Sequence, residues 1–293
     1  MKIKESAGYT SFRIFNTIFM IIISIVMLYP MVYVVFASFS ESNALLMNEG
    51  LLLWPIKPNL RSYMKVIENP MVWSGYKNTL IVLVGGTALN LVMTILAAYV
   101  LSRKNLAGSK LMTIFVVFTM YFSGGMIPMY LNVRSFGLDD SLWALIIPGA
   151  MSAYNMIILR TAFASIPDSL EESATLDGAN PFTTLVKIIV PLSGSSIAVI
   201  LLYYAVGHWN SWFNAMIFLR DRAKYPLQLV LREILVQNDV SAMMDNAIVD
   251  GEGSIAETIK YAVIVVSTVP ILAVYPFLQK YFVKGVMVGA VKG

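Results

Sequence analysis

Six long apolar stretches, separated by short polar ones, organise this chain. They cover roughly residues 14–39, 78–102, 111–133, 141–160, 188–210 and 258–280. Each approaches or exceeds the ~20 residues that a helix needs to cross a hydrocarbon core. A backbone in lipid must satisfy its own hydrogen bonds, which selects helices over lone strands. The pattern predicts an all-α membrane protein with six transmembrane helices, forming a single domain over 1–293 without repeat or linker. Prolines fall inside several stretches, at Pro30, Pro128, Pro148, Pro191 and Pro270. Each would cost about 3 kcal/mol inside a water-soluble helix, but packed membrane helices absorb them as kinks. The first stretch, Ile14 to Phe39, runs 26 residues without a charge. That exceeds the ~7–15 residue core of a cleaved signal, and no small-x-small site follows it.

The polar connections give an orientation. Lys2, Lys4 and Arg13 precede the first span, and no basic residue follows it until Lys57. The excess of Lys and Arg on the cytoplasmic side of membrane proteins then places the N-terminus inside. Six spans put the C-terminus there too. The inside loops are 103–110 and the longer 161–187. The outside loops are 40–77, 134–140 and 211–257.

Composition agrees with a chain solvated by lipid. Of 293 residues, 58% are hydrophobic and 13% charged, against about 25% charged in soluble domains; mean hydropathy is +0.72. The net charge of +4 is spread over the loops, with no Lys/Arg cluster of the kind that binds nucleic acid. With no Cys and one His, His208, neither a disulfide nor a metal site is expected. No G-x-x-x-x-G-K-[ST] phosphate loop occurs, so no cofactor is expected on this chain. The six spans carry almost no ionisable residues, and Arg160 and Lys260 lie near helix ends. Proton coupling usually needs such groups in the membrane; sodium coupling through backbone carbonyls does not. An intramembrane Ser–His hydrolase is disfavoured. Ser193 and His208 sit 15 residues apart on one expected helix, about 22 Å at 1.5 Å per residue.

The informative connection is the inside loop 165–191, SIPDSLEESATLDGANPFTTLVKIIVP. Ser165 and Asp168 mark a helix start with Pro167 in its first turn. Asp177-Gly178 ends that helix, because glycine tolerates a left-handed cap. Asn180 caps a second helix, with Pro181 at its first position. That helix runs through Lys187 into the next span. Local physics alone leaves an ordinary helix–loop–helix connector equally open.

The wording of the loop resembles the cytoplasmic coupling loop of ABC importer permeases, E-A-A-x3-G-x9-I-x-L-P. Glu172, Ser173 and Ala174 stand for E-A-A, Gly178 follows at the family spacing, and Ile188, Val190 and Pro191 stand for I-x-L-P. Ser173 for Ala and Val190 for Leu are conservative departures. The helix order and the phrases FSGGMIPMYL (122–131), HWNSWFNAMIFLRD (208–221) and YPLQLVLR (225–232) are similar to the second, maltose-type permease of carbohydrate importers, in the subgroup for alginate and aldouronate oligosaccharides. The tail GAVKG (289–293) also resembles the maltose-type tail. The resemblance implies the type I ABC importer permease fold in the cell inner membrane. It implies a heterodimeric pathway with a second permease, two cytoplasmic ATPase copies carrying ATP and Mg, and an extracytoplasmic solute-binding protein. ATP-driven import of a sugar, an acidic oligosaccharide above all, would follow. It also implies that Glu171, Glu172, Ser173, Ala174, Asp177, Gly178, Ala179, Ile188 and Pro191 couple to the ATPase. The acidic side chains of that group would meet basic partners there. A secondary transporter or channel without ATPases is the alternative, and it has no reason to carry such a loop.

On the expected fifth helix Tyr203, Gly207, Asn210 and Asn214 share one face, flanked by Trp209 and Trp212. Aromatic faces and amides suit the CH faces and hydroxyls of sugars; an interfacial aromatic belt explains the same residues. Tyr121 and Tyr130 are weaker candidates. Arg220, Arg222, Lys224 and Arg232 would attract an acidic partner, or are solvated loop charge balanced by Asp239, Asp245, Asp250, Glu252 and Glu257.

Overall fold

The computed structural model describes residues 7–103, 106–236 and 257–273, and among these there is no strand. The helices are α1 (Ala7–Ser38), α2 (Ser42–Leu46), α3 (Arg61–Glu68), α4 (Pro70–Ser102), α5 (Ser109–Tyr121), α6 (Met126–Ser135), α7 (Trp143–Ile146), α8 (Ala153–Ala164), α9 (Asp168–Leu176), α10 (Pro181–Thr184), α11 (Val190–Leu192), α12 (Gly194–Trp209), α13 (Phe213–Phe218), α14 (Leu227–Val236) and α15 (257–273). A π-helical turn, Leu185–Ile189, joins α10 to α11. The chain forms two compact units. One takes in residues up to 69 with 233–268, the other 70–232 with the segment from 269.

In the first unit α1 is apolar all round, the pattern of a helix surrounded by apolar solvent. Its hydroxyls bond within the helix: Thr17 Oγ1 donates to Arg13 O at 2.8 Å and Ser24 Oγ to Met20 O at 2.7 Å. Each of these hydroxyls thereby keeps its own hydrogen bonded inside the helix. Ala37, Leu45 and Leu52 form a small core beyond its end. Tyr33 meets Tyr261 edge-on, with centroids 5.8 Å apart, and the hydroxyls of Ser62 and Thr258 lie 2.7 Å apart.

The second unit is built on α4, against which α8 and α12 pack. The buried stripe of α4 recurs at helical spacing through Thr79, Val82, Gly86, Asn90, Thr94 and Ala98. Polar and small residues dominate that stripe, while Leu80, Ile81, Val84, Val92 and Leu96 face outward. This inverts a water-soluble helix. In lipid, small and polar residues mediate helix contacts because apolar ones gain nothing by leaving the chains.

Only part of the expected span pattern appears. Among the described residues two helices, α1 and α4, are each long and apolar enough to cross a membrane; two bent pairs bring the number to four if each pair is one span. The expected third span, 111–133, is broken: α5 and α6 meet at 113°. Gly125, at φ +87°, occupies a backbone region that side-chain-bearing residues avoid. The expected fourth span, 141–160, is split into α7 and α8, since Pro148 has no amide to continue a helix. The fifth, 188–210, does not run straight out of the loop. The segment Pro181–Leu192 meets α12 at 85°. The π turn, Pro191 and the Ser193-Gly194 pair all lie at this bend, and each is a recognised cause of a kink. The sixth stretch is helical over 257–273, and 274–280 lies outside the described residues. So do Lys2, Lys4, the acidic run 239–252 and the tail 289–293.

Candidate functional site

The loop 165–191 folds as a cornered pair of helices. Ser165 ends α8 rather than starting α9, its Oγ donating to Ala162 O at 2.7 Å. The start falls at Asp168, because Pro167 is extended at ψ 131°. Asp168 and Glu171 in the first turn oppose the positive end of the helix dipole. At the far end Gly178 N donates to Thr175 O at 3.0 Å and Ala179 N to Ala174 O at 2.9 Å. This paired Schellman closure needs a left-handed residue, and Gly178 supplies φ +80°. Two residues on, Asn180 Oδ1 accepts from Thr183 N at 2.8 Å and opens α10 behind Pro181. Both ends of the corner are therefore locked by local bonds.

Ala174 and Ala179 face inward and fix the corner. Ser173, Asp177 and Glu172 are exposed, with Ser173 Oγ returned to Ser169 O at 2.9 Å. Ile188 is half-buried in the π turn, and Pro191 is exposed just beyond it. Glu171 departs from the expectation of a partner outside the chain, because it is ion-paired with Arg103 at the end of α4. Leu176 at the tip is 89% exposed and Phe182 66%. Behind the loop lies a cleft of about 1070 Å³ lined by Tyr99, Arg103, Phe163, Asp168, Glu171 and Pro181.

The candidate sugar face is only partly assembled. Tyr203, Gly207 and Asn214 line one cavity of about 260 Å³ with Asn90, His208 and Ser211. The other candidates lie outside that lining. Asn210 caps α12 and its amide donates to Val206 O at 3.0 Å. Trp209 is buried against Tyr76 with centroids 6.4 Å apart, and its Nε1 has no partner among the described residues. Trp212 stacks under the Arg232 guanidinium at 4.7 Å. Tyr121 is 79% exposed at the end of α5.

Beside the cavity lies a polar tie that sequence reasoning missed. Asn90 Nδ2 donates to Gly149 O, the carbonyl left open by the break between α7 and α8. Asn90 Oδ1 is 2.6 Å from His208 Nε2. With its amide nitrogen committed, Asn90 accepts, so His208 donates from Nε2. One turn on, the hydroxyls of Thr94 and Tyr204 lie 2.7 Å apart, and Tyr204 also accepts from Ser152 N at 2.9 Å. The available signal was Asn90 and Thr94 at i and i+4 inside an otherwise apolar span. His208 is thereby a helix tie, and Ser193 lies at the opposite end of α12 from it.

The basic residues of the loop after α13 are not idle charge. Asp140, at φ +53°, accepts on Oδ1 from Arg220 N and Asp221 N at 3.0 Å each, and on Oδ2 from Lys224 Nζ at 2.7 Å. Arg220 pairs with Asp139 at 3.7 Å and donates to the Tyr130 hydroxyl at 3.3 Å. The expected attraction for an acidic partner is thus satisfied internally at Arg220 and Lys224. Lys224 first, then the two amides, hold the Asp140 carboxyl well below the usual carboxylate range. A depressed folded pKa means that this stabilisation is complete above the ordinary Asp value and is lost only as pH falls through the lower folded one. Hydrogen-exchange protection at Arg220 and Asp221 is therefore expected to hold constant from neutral pH through about pH 4, the ordinary Asp range. A loss of protection near pH 4 would contradict this assignment.

Comparisons with known proteins bear on both sites. The family model described as "Binding-protein-dependent transport system inner membrane component" matches residues 90–288. The polygalacturonan/rhamnogalacturonan transport system permease protein YtcP of Bacillus subtilis (strain 168) is 43% identical over 94% of this chain and 96% of its own length. A crystal structure of a bacterial ABC transporter involved in the import of the acidic polysaccharide alginate has a chain 34% identical, with TM-score 0.91, covering 96% of this chain and 100% of that one. A bacterial alginate ABC transporter in complex with an alginate pentasaccharide-bound periplasmic protein matches at 15% identity and TM-score 0.59, over 94% and 96%; that likeness is one of fold.

Proposed function

This chain belongs to the family of binding-protein-dependent transport system inner membrane components, and from that premise we propose that it is one of two permeases in an ABC importer of acidic oligosaccharides. It is a transport component of the inner membrane for sugars or oligosaccharides, not an enzyme. In the proposed assembly it has six spans with both termini on the cytoplasmic side and pairs with a second permease. Two ATPase copies, holding ATP and Mg, dock from the cytoplasm, and a solute-binding protein delivers the sugar from outside.

The observation that carries the reading is the locked corner α9–Gly178–α10. A short helix transmits a push only if its ends are fixed, and the Schellman bonds and the Asn180 cap fix them. Leu176 and Phe182 present apolar surface beside the exposed carboxylates Glu172 and Asp177. Interfaces of this kind combine an apolar anchor with charges that set register. ATP closing the ATPase dimer would shift the loop and bias the permease between two arrangements.

For the sugar itself, the cavity near Tyr203 and Asn214 offers hydroxyl, amide and aromatic groups. At about 260 Å³ it is below the roughly 300–1,000 Å³ of drug-sized sites, which suits one ring of a chain better than several. The preference for an acidic substrate rests on the relatives, whose substrates as named are polygalacturonan/rhamnogalacturonan and alginate. The described cavity lining contains no Arg or Lys.

The test is ATP hydrolysis by the reconstituted complex, with and without the binding protein loaded with a uronic-acid oligosaccharide, comparing wild type with Gly178→Asp. A Cβ at Gly178 meets nothing within 4 Å, so the substitution strains the backbone by roughly 1–2 kcal/mol without a clash. Stimulation is expected to fall about tenfold, the ratio that 1.4 kcal/mol commands, with the complex still assembled. Full stimulation in an assembled complex would sink the coupling assignment and restore the secondary transporter or channel.

A further inference from the structure

We propose that Arg103 is a positioning residue that ties the coupling helix α9 to the end of α4, and so carries motion of the loop to the cavity around His208. The inference rests on the importer reading and assigns a transmission path within it.

Arg103 follows the last residue of α4. Its guanidinium is held from three directions. It lies over the Tyr99 ring at 4.7 Å. Nε and Nη2 donate to Ser102 Oγ at 3.1 and 2.8 Å. Nη1 is ion-paired with Glu171 in the first turn of α9. Asp168, one turn earlier on α9, adds its charge to the same guanidinium. The two paired side chains are 24% and 20% exposed, so the pair is largely shielded from screening by salt. The planar fork of Arg suits this arrangement, since it can stack on a ring, bond a hydroxyl and pair a carboxylate together. Glu171 and its neighbour Glu172 thus divide the work. Glu171 turns inward to this chain, and Glu172 stays exposed for a partner.

From this joint α4 runs 33 residues as one continuous helix. Thr94, nine residues back or about 13 Å, meets Tyr204, and Asn90, a turn further, meets His208. Tyr204 and His208 line the cavity. A displacement of α9 therefore reaches α12 through an uninterrupted stretch of α4, from Ser102 back to Asn90, that is tied to α9 at one end and to α12 at the other. Spatial intermediacy alone does not establish coupling; the pair must be shown to act as a unit.

The experiment uses the full reconstituted complex with the binding protein loaded with oligogalacturonate. It compares Arg103→Ala, Glu171→Ala and the exchange Arg103→Glu with Glu171→Arg. Basal ATPase, stimulated ATPase and sugar moved per ATP are read on complexes matched for assembly. The expected result is that each single variant keeps basal hydrolysis, loses about tenfold of the stimulation and moves less sugar per ATP. The exchange restores the ion pair though not the stacking on Tyr99, and should recover part of both, a non-additivity that independent sites do not show. A merely structural role would lower complex yield and leave the ratios untouched. Should the alanine variants fail to assemble, Arg103→Lys keeps the charge but not the fork, and it is expected to lower sugar moved per ATP in an intact complex. Single variants that are stimulated like wild type, an exchange no better than the singles, or an Arg103→Lys complex with wild-type coupling would each overturn the assignment. A wild-type complex that shows no stimulation is a different failure, that of the importer reading itself.

Discussion

Gly86→Ala is expected to lower the stability of the purified protein by about 2–5 kcal/mol, a large share of the roughly 5–15 kcal/mol that holds a domain together. A Cβ there would sit 2.5, 2.6 and 3.0 Å from Nε2, Cε1 and Cδ2 of His208. The ring cannot simply swing aside, because Nε2 is bonded to Asn90 and α12 packs closely on α4 at this level. Overpacking of this kind costs roughly 1–3 kcal/mol, and stranding a buried donor adds about 1–3. The adjacent Gly85 is the control. Its Cβ would meet Ile146 Cδ1 at 3.6 Å, an ordinary contact. Gly85→Ala should therefore be neutral or should gain up to about 1 kcal/mol of helix propensity. Thermal unfolding of both variants in detergent decides the matter. Equal midpoints would mean that α12 does not approach α4 as closely as described.

Asn90→Leu is destabilising for a different reason. The substitution keeps the branched shape but removes both ends of the tie, leaving Gly149 O and His208 Nε2 without partners. His208 is half-buried and Gly149 exposed, so the two stranded groups cost roughly 1–3 kcal/mol together. Because the same ring is disturbed in each case, Gly86→Ala combined with Asn90→Leu should cost clearly less than the sum. The same unfolding measurement reads this. Strict additivity would show that His208 is not the shared element.

The contrast between the loop and the spans shows which parts of this protein a sequence reveals. The corner at Gly178 was legible because its bonds are local. Asp177-Gly178 and Asn180-Pro181 carry their cap chemistry within five residues, and the helices end and begin there. The start of α9 was misjudged by three residues, since Ser165 and Asp168 are both plausible caps and only the extended Pro167 decides between them. The long spans α1 and α4 were legible from length and hydropathy. The breaks after Tyr121, Ile146 and Leu192 were not, because a proline or glycine in an apolar run is consistent with a kink or with a full break, and neighbouring helices decide which. The partner of Glu171 lies 68 positions upstream at Arg103, where a basic residue at a span end reads as a membrane anchor. Lys224 meets Asp140 across 84 positions, beyond the reach of any local pattern. Of the sugar-face candidates, Tyr203, Gly207 and Asn214 line one cavity, but the single helical face expected for them is broken, because α12 ends at Trp209 and Asn214 belongs to α13.

The inverted colouring of α4 has a consequence for how this helix tolerates change. Where its outward side meets fluid hydrocarbon, that solvent does not distinguish Leu80 from Ile or Val84 from Met, so substitutions there among apolar residues should be nearly silent. The inward stripe has almost no such latitude, since each of Gly86, Asn90 and Thr94 answers a particular group on another helix. Neutral drift would therefore accumulate on the side with the stronger hydropathy signal. A version of this helix recast for water would need new residues only on the side that touches nothing in the protein, with the inner lettering left as it stands.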